Sequence, residues 1–548
     1  MTYQTLPRPF WSLRPTLSHL SLNLSVAAYI FCALNLGFWA RAVDALYGNP
    51  LRIIVFGIAV FALIVMVLEL FGPGRLQKPV AAILIMIAAS ASYFERSFGV
   101  LIDREMIRNI FETTQTEAQH LMTSDAVLQV AVFGVLPALL VFWPNVVRVR
   151  NWHHLWRWPL GVGLSLAIVV GGVFPDYKTY SAAFRERRDV MGSLQPIASI
   201  RALIKYSEQQ IASAEVVVRP VGADAEQGSF LAQVSKPVLM VVFVGETLRA
   251  QNFGLNGYSR DTTPGLAARN VINFIDVAAC GTSTSVSLPC MFSRLPEAEF
   301  TREKALSQEN LLDVLTHAAF QLEWVDNNTG DMGVAERLGW SYVDKTLDPE
   351  ACKGECTDEI LLPVIAQTLA RITANTVLFL HMNGNHGPAY FLRYPEARAI
   401  FQPDCRTAQF SDCEAADIVN AYDNAVLETD FVLSKAIDML AAADNVLPAM
   451  IFLSDHGESL GENGLYLHAA PRFMAPEEQT KVPMVMWLGD TFRSAMALDD
   501  TCLQGAARQS VSHDNLFHTM LGLLNIETVA RDPALDIASP CHVTPKAS

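Results

Sequence analysis

Residues 239–247, LMVVFVGET, carry the reading of the fold. Six apolar residues in a row, with no polar alternation, describe a strand buried on both faces, and Gly245-Glu246-Thr247 ends it abruptly in a carboxylate. A second run of the same kind, IFLSDHGES at 451–459, ends in Asp455 and His456. Further apolar runs at 322–325, 376–380 and 484–487 alternate with helical patterns over 310–319, 358–374, 418–443 and 514–524. Unbroken apolar strands separated by helices predict an α/β domain with a largely parallel sheet covered on both faces. In such sheets chemistry gathers beyond the carboxyl ends of the strands.

Glu246, Asp455 and His456 stand at those ends, and their donor atoms suit a divalent cation. Singly, each has a plain reading as a cap or a turn. Together, in polar Gly-rich loops between apolar runs, they point to a metal site. A third segment, CGTSTSVSLPC at 280–290, supplies hydroxyls from Thr282, Ser283 and Thr284. Such a hydroxyl is a weak nucleophile at neutral pH, and a neighbouring dication removes that weakness. A helix starting beyond the loop adds N–H donors for phosphoryl oxygens. His386 in HMNGNHGPAY and His468 in ENGLYLHAAP suit a second metal, phosphate oxygens or proton delivery to a leaving group. His381 reads as a core or edge residue. His513 and His518 fall in a helical pattern with no chemical context.

The chain has 548 residues and a net charge of −15. Its mean hydropathy is +0.25. The apolar excess lies in the first third, as runs at 20–39, 53–71, 80–94, 126–143 and 160–174, read as five membrane spans although the third and fifth are short. This divides the chain into a transmembrane domain over 1–174, bridging amphipathic helices and a polar linker over 175–235, and an α/β domain over 236–548. Arg8, Arg14, Arg75, Lys78, Arg148, Arg150 and Arg157 fall on one side of the spans, and Arg41, Arg52, Arg96, Arg104 and Arg108 on the other, the last three mixed with acids. The bias favours a cytoplasmic N-terminus, so five spans place the large domain outside the cytoplasm. The acidic balance argues against a nucleic-acid partner.

Eight cysteines follow the lone Cys32 as close couples: Cys280 with Cys290, Cys352 with Cys356 and Cys405 with Cys413, leaving Cys502 with Cys541. Other pairings are possible, but an even count after membrane spans reads as disulfides in an oxidising compartment. No Cys-x-x-Cys pair supports a thiolate metal site. Between the third and fourth spans, residues 95–125 have a helical pattern in which Asn109, Thr113 and Glu117 recur every fourth residue along one stripe.

Six motifs together, VGETLRAQNFGLNGYSRDTTP, CGTSTSVSLPCMFS, WVDNN, GNHGPAY, AYDNAVLETD and SDHGESLGENGLYLH, resemble the lipid A phosphoethanolamine transferases, among them the mobile colistin-resistance enzymes. The resemblance runs through nearly the whole chain. It implies five spans and a periplasmic α/β/α sandwich of the alkaline phosphatase and sulfatase type. It implies transfer of phosphoethanolamine from phosphatidylethanolamine to a lipid A phosphate, through a covalent adduct on Thr284. It implies Zn2+ held by Glu246, Thr284, Asp455 and His456, with His386 and His468 near the phosphoryl group or a second zinc. Oxygen-rich ligation also suits Mn2+. Asn109, Thr113 and Glu117 match headgroup-binding positions. Relatives carry a lysine where this chain has Met332, while Asn328 and Thr329 keep the neighbourhood polar. A monomeric inner-membrane enzyme is expected, one that lowers surface charge and so weakens polymyxin binding.

Relatives by chemistry act on core sugars or periplasmic glucans, or move phosphoglycerol, with the same threonine and metal. The reading from another class is a non-catalytic scaffold or transporter, but the spans carry few ionisable groups beyond Glu69.

Overall fold

The computed structural model describes residues 14–46, 48–71, 74–147, 151–213 and 217–543. Arg8, Arg148 and Arg150, used above for orientation, lie outside them. The chain forms two compact units, Met1–Ile107 with Met122–Ser207, and Arg108–Leu121 with Glu208–Ser548.

The first unit is helical. Three helices are long and apolar enough to cross a membrane: Pro50–Leu70, Gly74–Phe98 and Trp156–Glu186. A fourth span arises if the pair His19–Ala33 and Leu36–Ala45 is taken together, although the two are bent by 68°. Ser124–Leu140 is a shorter apolar helix. Each of the five apolar runs is thus helical, and among the described residues three, or up to four, qualify as spans by length and composition. At the bend, the Asn35 side chain donates to the Ile30 and Gln195 carbonyls and accepts from the Gln195 N–H, tying the bend to a remote segment of the unit. The Ser124–Leu140 stretch is interrupted by a π-helical turn over Ala131–Val135. Inside the unit, Glu69 is not isolated: it accepts from Asn23 at 2.8 Å, and Asn23 accepts from Gln77 at 2.9 Å.

The second unit is built on an eight-stranded sheet. Its strands are β1 (Val238–Gly245), β2 (Ile272–Ala278), β3 (Gln321–Asp326), β4 (Ser341–Tyr342), β5 (Thr376–His381), β6 (Leu447–Ser454), β7 (Lys481–Leu488) and β8 (Val511–Ser512). The spatial order is β8-β2-β7-β6-β1-β5-β3-β4. β7 runs antiparallel to both β2 and β6, and every other pairing is parallel. The sheet is therefore mixed rather than simply parallel. β1 lies at its heart, every residue buried. Val238, Met240, Val242 and Val244 join one core with Leu288, Met291, Leu312, Phe517 and Leu521. Leu239, Val241 and Phe243 alternate to the other face and are fully buried there. The 28-residue helix Ala415–Ala442 packs against β6.

Residues 221–229, read as a polar linker, belong to this unit. Glu226–Gln227 pairs with Ile526–Glu527, and Val221 and Ala225 enter the core. The 95–125 segment is two helices, Arg104–Glu112 and Gln115–Leu121, rather than one. The Thr113 hydroxyl donates to the Asn109 carbonyl at the break, so the three-residue stripe is not one continuous helical face.

His518 offers a test of this packing. Its Nδ1 accepts from the Asp532 N–H at 2.9 Å, which requires the neutral ring. Burial, helped by Arg294 and Arg531 and opposed by Asp532, pulls its pKa down to about 4. The unfolded chain then binds a proton that the folded chain refuses. Stability is level above about pH 6.5 and falls as pH drops toward 4. The full shift would cost about 2 kcal/mol by pH 5, and allowing for partial screening the loss is about 1 kcal/mol. Thermal unfolding of wild type and His518→Asn at pH 7.5 and 5 checks this; the variant should lose less on acidification.

Candidate active site

The site assembles where parallel strands end. β1 delivers Glu246, β6 delivers Asp455 and His456, β5 leads to His386, and β3 leads to Asn328. Glu246, Asp455 and His456 are at most 1% exposed. One donor atom from each lies within 4.8 Å of the others. Backbone geometry secures the arrangement. Thr247, directly after Glu246, has a φ of 51°, and strain of this kind in a β-branched residue persists only where the surroundings impose it. Gly384 has a φ of 55°, and a Cβ there would sit 2.5 Å from the Glu246 carbonyl oxygen. That carbonyl accepts from the Asn385 N–H instead.

The nucleophile segment comes in beside them. Ser283 precedes the helix Thr284–Met291, so Thr284 is its first residue and sits where helix N–H groups lack partners. The Thr284 Oγ1 lies 3.0 and 3.2 Å from the two Glu246 oxygens and 3.3 Å from His456 Nε2. Thr282 turns away and donates to the Ala470 carbonyl, and Ser283 is buried against Ser285. Of the three hydroxyls, Thr284 is the one beside the carboxylates.

Asp455 Oδ2 is buried with no hydrogen-bond partner, while Oδ1 accepts from the Thr247 and His456 N–H groups. Burial raises the Asp455 carboxyl, and the nearby Glu246 charge raises it further. Glu246 is driven the other way: burial opposes its charge, but His456, His386 and His468 outweigh that and carry it well below the carboxylate range. Burial likewise opposes a proton on His456, and Asp455 and Glu246 overcome it. Two buried acids thus hold a proton on the imidazole between them, and a divalent cation can take the place of that proton. These residues fit a metal ion.

Around this centre lie further polar groups. His381 is fully buried at the end of β5 and faces the site. Its Nδ1 faces Asp326 at 2.8 Å and its Nε2 lies 3.9 Å from Glu246. Burial works against its charge, yet Asp326, Glu246 and Asp455 lift its pKa to about 9. Asn328 links the two layers, donating to Glu246 at 2.8 Å. Glu458 accepts from the Tyr390 hydroxyl at 2.7 Å and faces His468 Nδ1 at 2.9 Å, orienting that ring. His513 accepts from the Cys280 N–H through Nδ1, and its Nε2–H donates to the Ser454 carbonyl, tying the nucleophile loop to the end of β6. Its buried position pulls its pKa down to about 4.

His386 and His468 stand with ring centres 5.3 Å apart. Burial, with His468 and Arg393, lowers the His386 pKa against the pull of Glu117 and Glu246. The second unit's own helices reach this region. Asn109 accepts from the Ser285 hydroxyl at 3.1 Å, and Glu117 lies 3.4 Å from His386. Asn109, Thr113, Glu117, Thr284 and His468 line one small cavity of about 40 Å³. Thr329 and Met332 line it too, and Met332 has a φ of 51°. The structure joins Cys280 to Cys290, Cys352 to Cys356, Cys405 to Cys413 and Cys502 to Cys541. Cys32 remains free.

Residues 239–526 match the family Sulfatase, and residues 60–211 match Phosphoethanolamine transferase EptA/EptB. Phosphoethanolamine transferase EptA of Escherichia coli (strain K12) is 38% identical over 96% of this chain and 98% of its own. Phosphatidylethanolamine transferase Mcr-1 of Escherichia coli is 34% identical over 94% of this chain and 96% of its own. The solved structure of the integral membrane lipooligosaccharide phosphoethanolamine transferase A from Neisseria meningitidis superposes with a TM-score of 0.92, at 34% identity, over 97% of this chain and all of that one. Strand ends that gather a hydroxyl, two buried acids and an imidazole, joined to a helical membrane unit, are thus features of a chain that belongs to the EptA family of phosphoethanolamine transferases.

Proposed function

We propose that this chain takes phosphoethanolamine from phosphatidylethanolamine, carries it on Thr284, and passes it to a lipid A phosphate. The observation that carries the proposal is Thr284 Oγ1, 3.0 Å from Glu246 and 3.3 Å from His456 at the start of a helix. Glu246, Thr284, Asp455 and His456 would hold Zn2+, with Mn2+ as the alternative and His386 with His468 as candidates for a second ion. When bound, the ion supplies Lewis acidity that favours loss of the threonine proton and opposes charge on the phosphoryl oxygens.

The chain's own groups do the rest. Asn109, Thr113 and Glu117 line the cavity with Thr284, and the Glu117 carboxylate offers a counter-charge for the ethanolamine ammonium. The Thr284 oxygen forms a bond to phosphorus as the bond to the diacylglycerol oxygen breaks. His468, oriented by Glu458, gives that oxygen a proton through its other ring nitrogen. Helix N–H groups face the developing charge, while Asn328 holds Glu246 in place. Thr329 and His386 complete the polar wall. A second displacement frees Thr284.

Five spans, an N-terminus in the cytoplasm, and the division at 1–174, 175–235 and 236–548 would place the α/β domain in the periplasm of the inner membrane, where the four disulfides are stable. One chain supplies every proposed site residue, so a monomer suffices. Added amines offset lipid A charge and weaken the binding of polymyxins and other cationic peptides.

Mass spectrometry of lipid A from cells producing the protein tests this. The expected result is a mass increment of one phosphoethanolamine on lipid A together with a higher inhibitory polymyxin concentration. An increment confined to core sugars or glucans would overturn the choice of acceptor.

A further inference from the structure

Beside the small cavity at Thr284 lies a larger one of about 370 Å³, within the range of small-ligand sites. Glu117, Thr329 and His386 line both. The larger cavity therefore adjoins the one where an adduct on Thr284 would stand, and none of the groups assigned so far accounts for its far wall.

That wall carries Arg393, Lys345 and Tyr342. Arg393 is 5% exposed. Its Nε donates to the His386 carbonyl at 3.0 Å, and its Nη2 lies 2.7 Å from Glu355 Oε2. Its Nη1 is buried without an acceptor. A guanidinium whose plane is fixed on two sides and whose third nitrogen is unmatched is prepared for an anionic oxygen, since burying an unpaired charged donor is costly. Lys345 is exposed and makes no ion pair among the described residues. Tyr342 is 58% exposed and stacks edge-on against Trp340, with ring centres 4.9 Å apart. Aromatic faces beside cationic groups suit a ligand that joins an apolar ring face to an anion.

Resting on the function proposed above, we infer that the cavity bounded by Arg393, Lys345 and Tyr342 is the acceptor subsite, and that it takes a phosphate monoester on a sugar. Arg393 and Lys345 hold the phosphate, and Tyr342, braced edge-on by Trp340, receives the sugar face. From there an oxygen of the phosphate monoanion bonds to the phosphorus carried on Thr284. The bond from phosphorus to Thr284 Oγ breaks, and the proton of the monoanion passes to Oγ. The product is a diphosphate linkage, with no other reactant consumed. The arrangement also gives this chain cationic groups near the phosphoryl centre although Met332 supplies none.

The test separates the two half-reactions in the purified full-length protein in detergent. Diacylglycerol release from phosphatidylethanolamine reports the donor step, and transfer to lipid A bearing its phosphates reports the acceptor step. Lys345→Glu is expected to raise the KM for lipid A about tenfold, with the KM for phosphatidylethanolamine within about twofold of wild type. Arg393→Gln should lose more acceptor transfer than Arg393→Lys. Lys345 is exposed, so its variant reads the subsite even where loss of Arg393 disturbs His386. Equal losses in both half-reactions would assign the cavity to the donor headgroup and overturn the inference, as would unchanged transfer in Lys345→Glu. A wild-type enzyme that releases diacylglycerol but leaves lipid A unmodified would instead overturn the proposed function, and the subsite with it.

Discussion

Thr284→Ala is expected to reduce transfer to lipid A by about a thousandfold or more, equivalent to about 4 kcal/mol of transition-state stabilisation. The loss is large because this hydroxyl is the point through which both displacements pass. No neighbour can replace it: Thr282 is committed to the Ala470 carbonyl and Ser283 to Ser285. The fold should survive, since Thr284 is only partly buried and alanine is well tolerated in a first helical turn. Thr284→Ser keeps the oxygen and should retain a measurable fraction of activity. The check is intact-protein mass after exposure to phosphatidylethanolamine: wild type and Thr284→Ser gain one phosphoethanolamine, and Thr284→Ala gains none. A modified Thr284→Ala protein, or one with normal lipid A transfer, would remove this residue from the reaction.

Much of this arrangement was legible because strand ends carry chemistry in a pattern that is local in sequence. The runs before Glu246 and Asp455 are unbroken and apolar since β1 and β6 are covered on both faces, and such runs announce themselves. β2 did not: INFIDVA alternates buried with partly exposed residues, as a strand with only the two-residue β8 beyond it should. The reversal of β7 was hidden for another reason. A buried strand reads the same in either direction, and only the connection distinguishes them. Here the link from β6 to β7 carries Asp455, His456, Glu458 and His468 without a crossover helix. The contacts of His513 and His381 were not legible because their partners are carbonyls, amides and acids remote in sequence. Nothing near His513 signals the Cys280 N–H or the Ser454 carbonyl. The bend at Asn35 was not legible either: inside one apolar run the helices His19–Ala33 and Leu36–Ala45 meet at 68°, and the Asn35 side chain reaches Gln195, remote in sequence.

The second large effect runs in opposite directions for activity and stability. Asp455→Asn is expected to lower transfer by about a hundredfold or more, yet to make the metal-free protein more stable by about 1–3 kcal/mol. The sign follows from the buried pair. Without a cation, Glu246 and Asp455 repel each other in a water-free pocket; His456 Nε2, 3.3 Å from Asp455 Oδ2, offsets part of that charge, but Oδ2 itself has no hydrogen bond. Asparagine keeps an oxygen for the Thr247 and His456 N–H groups, removes the second negative charge, and adds an amide that can donate. The same change removes a hard anionic ligand, so affinity for a divalent ion should fall. Chelation of the wild type should therefore abolish activity while leaving it folded, at a lower unfolding temperature than metal-loaded protein. Asp455→Asn should unfold at nearly the same temperature with or without chelator, above the chelated wild type. Elemental analysis of both proteins, beside these unfolding curves, separates a catalytic ion from a structural one. If chelated wild type unfolds outright, the ion holds the fold together; if Asp455→Asn is less stable than chelated wild type, the pair is not repulsive and the electrostatic account of the site is wrong.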